Sequence, residues 1–160
     1  MFRKLLVRSL VVVVSLLCLP ALLAVSRGQE QEMLPDRVMG MSEYGFSETV
    51  NQIQKAIESQ GMMVIQRVDH QAMLSMVGVK TKGMVTLEFF HPKYGKTLFE
   101  NDHRAGIEIP LRIVVMEGDM GVMFAYRKPS ITFGQYPKLK SLGEELDGVL
   151  AKITDAVAKK

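Results

Sequence analysis

Residues 111–127, LRIVVMEGDMGVMFAYR, carry the decision about the fold. Leu111, Ile113 and Val115 alternate with Arg112, the period of a strand with one buried face. The stretch EGDMG (117–121) supplies turn residues, so the chain doubles back into VMFAYR and the two strands form an antiparallel hairpin. Pro129 ends the hairpin, because proline has no N–H to give to a ladder.

The same alternation appears upstream. In MVTLEFF (84–90), Val85, Leu87 and Phe89 fall on one side and Thr86 and Glu88 on the other, and MMVIQRV (62–68) also reads as a strand. Helical spacing flanks these runs. Ser47 is placed to cap SETVNQIQKAIESQ (47–60), with Val50, Ile53 and Ile57 on one face and Gly61 past its end. Leu139, Leu142, Leu146, Val149, Ile153 and Val157 give a long C-terminal helix one apolar stripe. HQAMLSM (70–76) reads as a short helix capped by Asp69.

Together these make one α+β domain over residues 38–160, a mostly antiparallel sheet with helices packed on one face in the order β-α-β-β-β-β-α. The opposite sheet face is left for solvent, ligand or a second subunit. Val114, Met116 and Met123 alternate onto that face, which predicts self-association, a homodimer formed through the sheet surface or a sheet edge.

Residues 1–26 differ in kind. Arg3, Lys4 and Arg8 precede an apolar run from Leu10 to Val25, and Ala24-Val25-Ser26 ends it with small residues, the order of a secretory signal peptide. The run is interrupted by Ser15 and Pro20 and is short for a spanning helix, so membrane attachment is expected only through an uncleaved signal. The expected product is exported, periplasmic or extracellular, after cleavage near Ser26. Residues 27–37, RGQEQEMLPDR, read as a flexible linker.

Removing the signal takes the formal net charge from +3 to zero, so the basic footprint that nucleic acid would require is missing. The one cysteine, Cys18, lies inside the signal. That excludes disulfides, thiolate nucleophiles and cysteine-ligated metal from the mature chain.

The spread of features FSETVNQIQKAIESQGMMVIQRVDHQA, FFHPKYGKTLFENDHRAGIEIPLRIVVME and GDMGVMFAYRKPS resembles the family catalogued as domain of unknown function 302, over roughly residues 38–158. Gly61, Asp69-His70, His91-Pro92, Ile109-Pro110, Gly121, Tyr126 and Pro129 stand where that family has its recurring positions. The resemblance implies a TBP-like α+β arrangement, often dimeric, and names no biochemical activity. One departure is Phe90-His91 where the family has Gly-Asn before proline.

Catalytic signatures are missing. There is no Gly-x-Ser-x-Gly elbow, no His-Glu-x-x-His, no phosphate-binding glycine loop and no dinucleotide fingerprint, so the sequence names no cofactor. In FFHPKYGK (89–96), Pro92 is read as ending the strand, Tyr94-Gly95 as turning the chain, and a short helix as starting near Lys96. His91, Lys93 and Lys96 around that helix start are candidates for a small anionic ligand. His70 and Tyr126 complete the candidate ligand-binding set.

Two alternatives stand beside a non-enzymatic ligand-binding or interaction module. One is an enzyme using His70 and His91 as acid and base, with Tyr126 or Arg104 nearby. The other is a periplasmic Cu(I) or metal-binding protein using Met and His, since 12 methionines include the groups MGM (39–41), MLSM (73–76) and MGVM (120–123). Against the metal reading, Met62, Met63, Met84, Met116 and Met123 are expected to fill core gaps.

Overall fold

The computed structural model describes residues 34–159. The expected signal, Cys18 and residues 27–33 of the expected linker lie outside the described residues. A turn closed by the Arg37 N–H on the Leu34 carbonyl (3.0 Å) leads into the first strand, which therefore begins inside the stretch read as linker.

The described residues form five strands, β1 (Arg37–Met41), β2 (Met63–Asp69), β3 (Met84–Phe90), β4 (Leu111–Gly118) and β5 (Gly121–Arg127). The helices are α1 (Phe46–Ser59), α2 (His70–Ser75), α3 (Pro92–Asp102), α4 (Pro129–Gly134) and α5 (Lys140–Asp155). The sheet is antiparallel throughout, in the order β1-β5-β4-β3-β2. This is the expected α+β architecture with the expected hairpin at its centre.

Alternation decides what each face holds. Val85, Leu87 and Phe89 of β3, Leu111, Ile113 and Val115 of β4, and Val122, Phe124 and Tyr126 of β5 are all buried on one face. Val50, Ile53 and Ile57 of α1 and Leu142, Leu146, Leu150 and Ile153 of α5 close over them. Burying each large side chain contributes about 1.5–3 kcal/mol, so this face carries most of the stability.

Two local expectations are corrected. Helix α1 starts at Phe46 with Gly45 as its N-cap rather than Ser47. Thr49 supplies the side-chain bond there, its hydroxyl donating to the Gly45 carbonyl at 2.9 Å. Helix α3 starts at Pro92 and runs unbroken through Gly95, so there is no turn at Tyr94-Gly95 and no start near Lys96. Gly95 is a seat for an aromatic ring: a Cβ there would stand 2.9 Å from the Phe90 ring. The expected cap of α2 is present, with the Ala72 N–H donating to the Asp69 carboxylate at 2.9 Å. Gly61 takes the left-handed conformation (φ 73°) just past α1, as a helix end of this kind requires.

Methionine as core filler is also corrected. Of the five residues expected inside, only Met62 is buried, at 3% exposed. Met63 is exposed, and Met84, Met116 and Met123 are half-buried on the other sheet face. Branched and aromatic side chains fill the core face of β3, β4 and β5, and the register sets Met84, Met116 and Met123 on the other face.

Helices α4 and α5 cross at Gly143, where a Cβ would stand 2.9 Å from both the Pro129 carbonyl oxygen and the Ser130 Cα. Gly148, on the same helix, has open space around it. We expect Gly143→Ala to destabilise the domain by about 1–3 kcal/mol, because backbone has to move. Gly148→Ala should stabilise it by about 0.5–1 kcal/mol through helix propensity. Urea unfolding of the two variants checks the pair, and equal effects would refute the close approach.

Candidate functional site

The face opposite the core is organised in rows by the strand register. Arg37 faces Arg127 across β1 and β5, and Arg112 stands one step beyond the Ile113–Tyr126 pair, beside Arg127 on its other flank. Like charges side by side across strands destabilise a sheet, so three adjacent arginines need a compensating partner. Asp36 supplies part of it, pairing with Arg37 and, at 3.3 Å, with Arg127 Nε. Arg112 Nε donates to Glu88 at 2.9 Å. With Glu88 and with Glu108 of the neighbouring loop, three carboxylates formally balance the three guanidinium groups, and the sharing of Asp36 by two of them leaves guanidinium N–H donors over.

These arginines rim a groove of about 650 Å³. Thr86, Val114 and Ala125 continue it along the open face, and Ile107, Glu108 and Pro110 form one wall. Tyr126, Phe133 and Leu150 reach it from the core side. Pro129 opens α4 directly after β5 and so brings Thr132 and Phe133 to the sheet end. The wall is braced: Tyr136 donates its hydroxyl to Glu108 at 3.2 Å. The turn His103–Glu108 is capped by Asp102, whose carboxyl the Arg104 guanidinium holds at about 2. Burial pushes the Tyr126 phenol up, opposed in part by the Thr154 hydroxyl beside it, so this side chain stays neutral.

The five residues nominated from sequence separate in space. Tyr126 lines the groove. His70 touches it through Thr86, its Nε2 lying 2.8 Å from the Thr86 hydroxyl. His91, Lys93 and Lys96 do not line it. From Thr86 to His91 the chain follows β3, and at about 3.4 Å per residue this puts roughly 17 Å between the two imidazoles' anchor points. Arg104 pairs with Asp102 at 2.6 Å, and His103 is exposed.

His91 turns out to have a structural task. Its Nδ1 accepts the Lys93 N–H at 2.9 Å, so the imidazole is the N-cap of α3. Its ring also packs edge-on against Tyr94, with centroids 5.8 Å apart. Lys93 donates to Glu145 of α5 at 3.3 Å and lies 5.2 Å from the Tyr94 ring centroid, while Lys96 pairs with Glu100 at 3.8 Å. The helix start nominated for an anion thus has one N–H taken by the imidazole, and both lysines have carboxylate partners.

What sequence reasoning missed is the arginine row. The available signal was the alternation in β4, which sets Arg112 opposite in face to Ile113. Bringing Arg37 and Arg127 to the same place needs the pairing of β1 with β5, which no local pattern contains.

A family model described as "Domain of unknown function DUF302" matches residues 40–159. The fold is similar to the crystal structure of the uncharacterized conserved protein DUF302 from Bacillus stearothermophilus, with a TM-score of 0.72 and 20% sequence identity, covering 77% of this chain and 98% of that one. The chain is also 28% identical over 80 residues to proteins named fluoride-specific ion channel FluC 1 in Brucella suis and Brucella abortus. That stretch is 50% of this chain and spans 32% and 30% of those relatives.

The capping role of His91 is open to direct measurement. Asparagine is among the best N-cap residues, so His91→Asn should leave stability within about 0.5 kcal/mol of the parent, whereas His91→Ala should cost about 1 kcal/mol. Denaturant midpoints of the two variants check this, and equal losses would remove the cap from the account.

Proposed function

We propose that this chain, which belongs to the family described as Domain of unknown function DUF302, is a binding module that holds a small anionic ligand with an apolar body in the groove at the arginine end of its sheet. The observation that carries the reading is the meeting of Arg37, Arg112 and Arg127 with the apolar side chains of Val114 and Ala125 on the open face and of Ile107 and Pro110 on the wall. Guanidinium groups keep donors free after one carboxylate is engaged, since each has five N–H bonds to give. Ligand sites are concave, mostly apolar and carry a few placed polar groups, and this groove has that composition. A two-histidine enzyme is the weaker alternative, because His70 and His91 have no common cleft.

The proposal extends to where the domain works. The first 26 residues support export, with the chain starting near Arg27, and intact-mass measurement of protein from its native compartment checks that start; an intact Met1 terminus would refute it. The half-apolar open face supports pairing with a second copy. The FluC name brings one further reading to this chain, a domain acting beside an ion channel. The match covers about a third of those relatives, so the channel role itself is not carried over; among the described residues no helix is long and apolar enough to cross a membrane.

Anilinonaphthalene sulfonate, an apolar body bearing one anionic group, is the test probe. It should bind the wild type with a fluorescence increase that falls as salt is raised. Arg127→Gln should weaken binding at least about tenfold, the loss of one charge-assisted contact. Lys93→Gln and Lys96→Gln should leave it unchanged. Equal affinity in all variants would refute the groove, and light scattering on the same samples reports the pairing.

A further inference from the structure

The register assembles a second row on the open face, at the opposite end from the arginines. Met41 faces Met123, Met123 faces Met116, and Met116 faces Met84, so four thioethers from four strands stand side by side. All four are half-buried. From this alignment we propose that Met41, Met123 and Met116 form a binding site for one soft monovalent cation, Cu(I).

Four observations support the site. First, the row is a choice of residue type: strand positions favour branched and aromatic side chains, and every buried side chain on the core face of the same strands is of that kind. Among the described residues Met62 is the single buried methionine, so the fold does not use methionine as a general filler. Second, residues directly opposite in antiparallel strands have Cβ atoms about 4.5–5.5 Å apart. A flexible methionine on each flank can therefore lean over the central strand, whereas four in a row span about 14 Å, too wide for one ion.

Third, Met41 already leans this way. Its methyl group lies 3.3 Å from where a Cβ on Gly121 would stand, over β5 and beside Met123. Gly118 and Gly121 face each other in the next row and carry no side chains, which leaves room for the thioethers. Fourth, the donors are of one kind. Among the described residues no three His, Cys, Asp or Glu side chains gather as metal ligands, so hard cations have no comparable site. Thioether sulfur is a soft donor that selects Cu(I) over Mg(II), Ca(II) or Zn(II). Binding displaces water, with no change of oxidation state.

The site is independent of the arginine groove, and the test keeps them apart. The full chain carrying Cys18→Ser, so that no thiol competes, is titrated into the Cu(I)–bicinchoninate complex with ascorbate present to hold the metal reduced. The parent should withdraw one Cu(I) per chain. Met116→Leu with Met123→Leu, close in volume and lacking sulfur, should weaken this at least a hundredfold, with circular dichroism confirming the fold. Met73→Leu on α2 combined with Met76→Leu just past its end, and Arg127→Gln, should withdraw the metal as the parent does. Methyl resonances of Met41, Met116 and Met123 should shift at one equivalent. No withdrawal of Cu(I), undiminished withdrawal by the Met116/Met123 double variant, or shifts confined to Met73 and Met76 would overturn the proposal.

Discussion

The pairing of Leu87 with Ile113 at the centre of the sheet is the constraint on which both faces depend. Both side chains are fully buried beneath α1 and α5, and sliding β3 past β4 by one residue would turn every apolar side chain of one strand out to water. At about 1.5–3 kcal/mol for each large side chain, three or four such residues exceed any cost the open face could impose. The core therefore sets the register, and the register sets which residues of the open face become neighbours. Thr86 next to Val114, Glu88 next to Arg112 and Met84 next to Met116 are consequences of packing on the far side of the sheet.

This division explains what could be read from the sequence. Strand β3 was legible to the residue, because Val85, Leu87 and Phe89 are buried while Thr86 and Glu88 are not, and a two-residue period records that difference. The Asp69 cap was legible because capping is local. Gly95 was misread because a glycine admitted to make space for a ring looks, in one dimension, like a glycine placed to turn the chain. The Phe90 ring sits five residues away, a neighbour that turn rules do not consider. The cap made by His91 is hard to read in advance for the reverse reason: an imidazole is an uncommon cap, so nothing in the local pattern marks its hydrogen bond to the Lys93 N–H.

The candidate sites were the least legible part. Each residue of the arginine and methionine rows is individually a normal strand residue pointing outward. The information lies in strand order, β1-β5-β4-β3, which brings Arg37 and Met41 from the start of the described chain against Arg127 and Met123 near its end. Clusters close in sequence are a partial guide: MGM (39–41) and MGVM (120–123) each give one member, Met41 and Met123, to the methionine row, and MLSM (73–76) gives none. Met73 lies on α2, a short helix with no buried residue, and Met76 follows its end, both away from the row that Met41, Met84, Met116 and Met123 build from distant segments.

The same geometry bears on the proposed pairing of two copies, where face and edge make different demands. An edge route needs a long, regular strand with free backbone groups. Strand β1 is five residues long, and the chain beyond it is tied down by a bridge between Ser42 and Ala158. Strand β2 at the other edge is irregular between Val64 and Gln66, where an extra residue twists the strand out of line. Both edges thus carry the features that discourage strand addition. The face is different: a band of Met39, Ala125, Val114, Thr86 and Val68 runs across all five strands between the arginine and methionine rows. A second copy seated there would cover apolar surface that the core helices cannot reach, and it would roof both rows at once. Pairing by the face would therefore compete with or complete the two candidate sites, whereas pairing by an edge would leave both untouched.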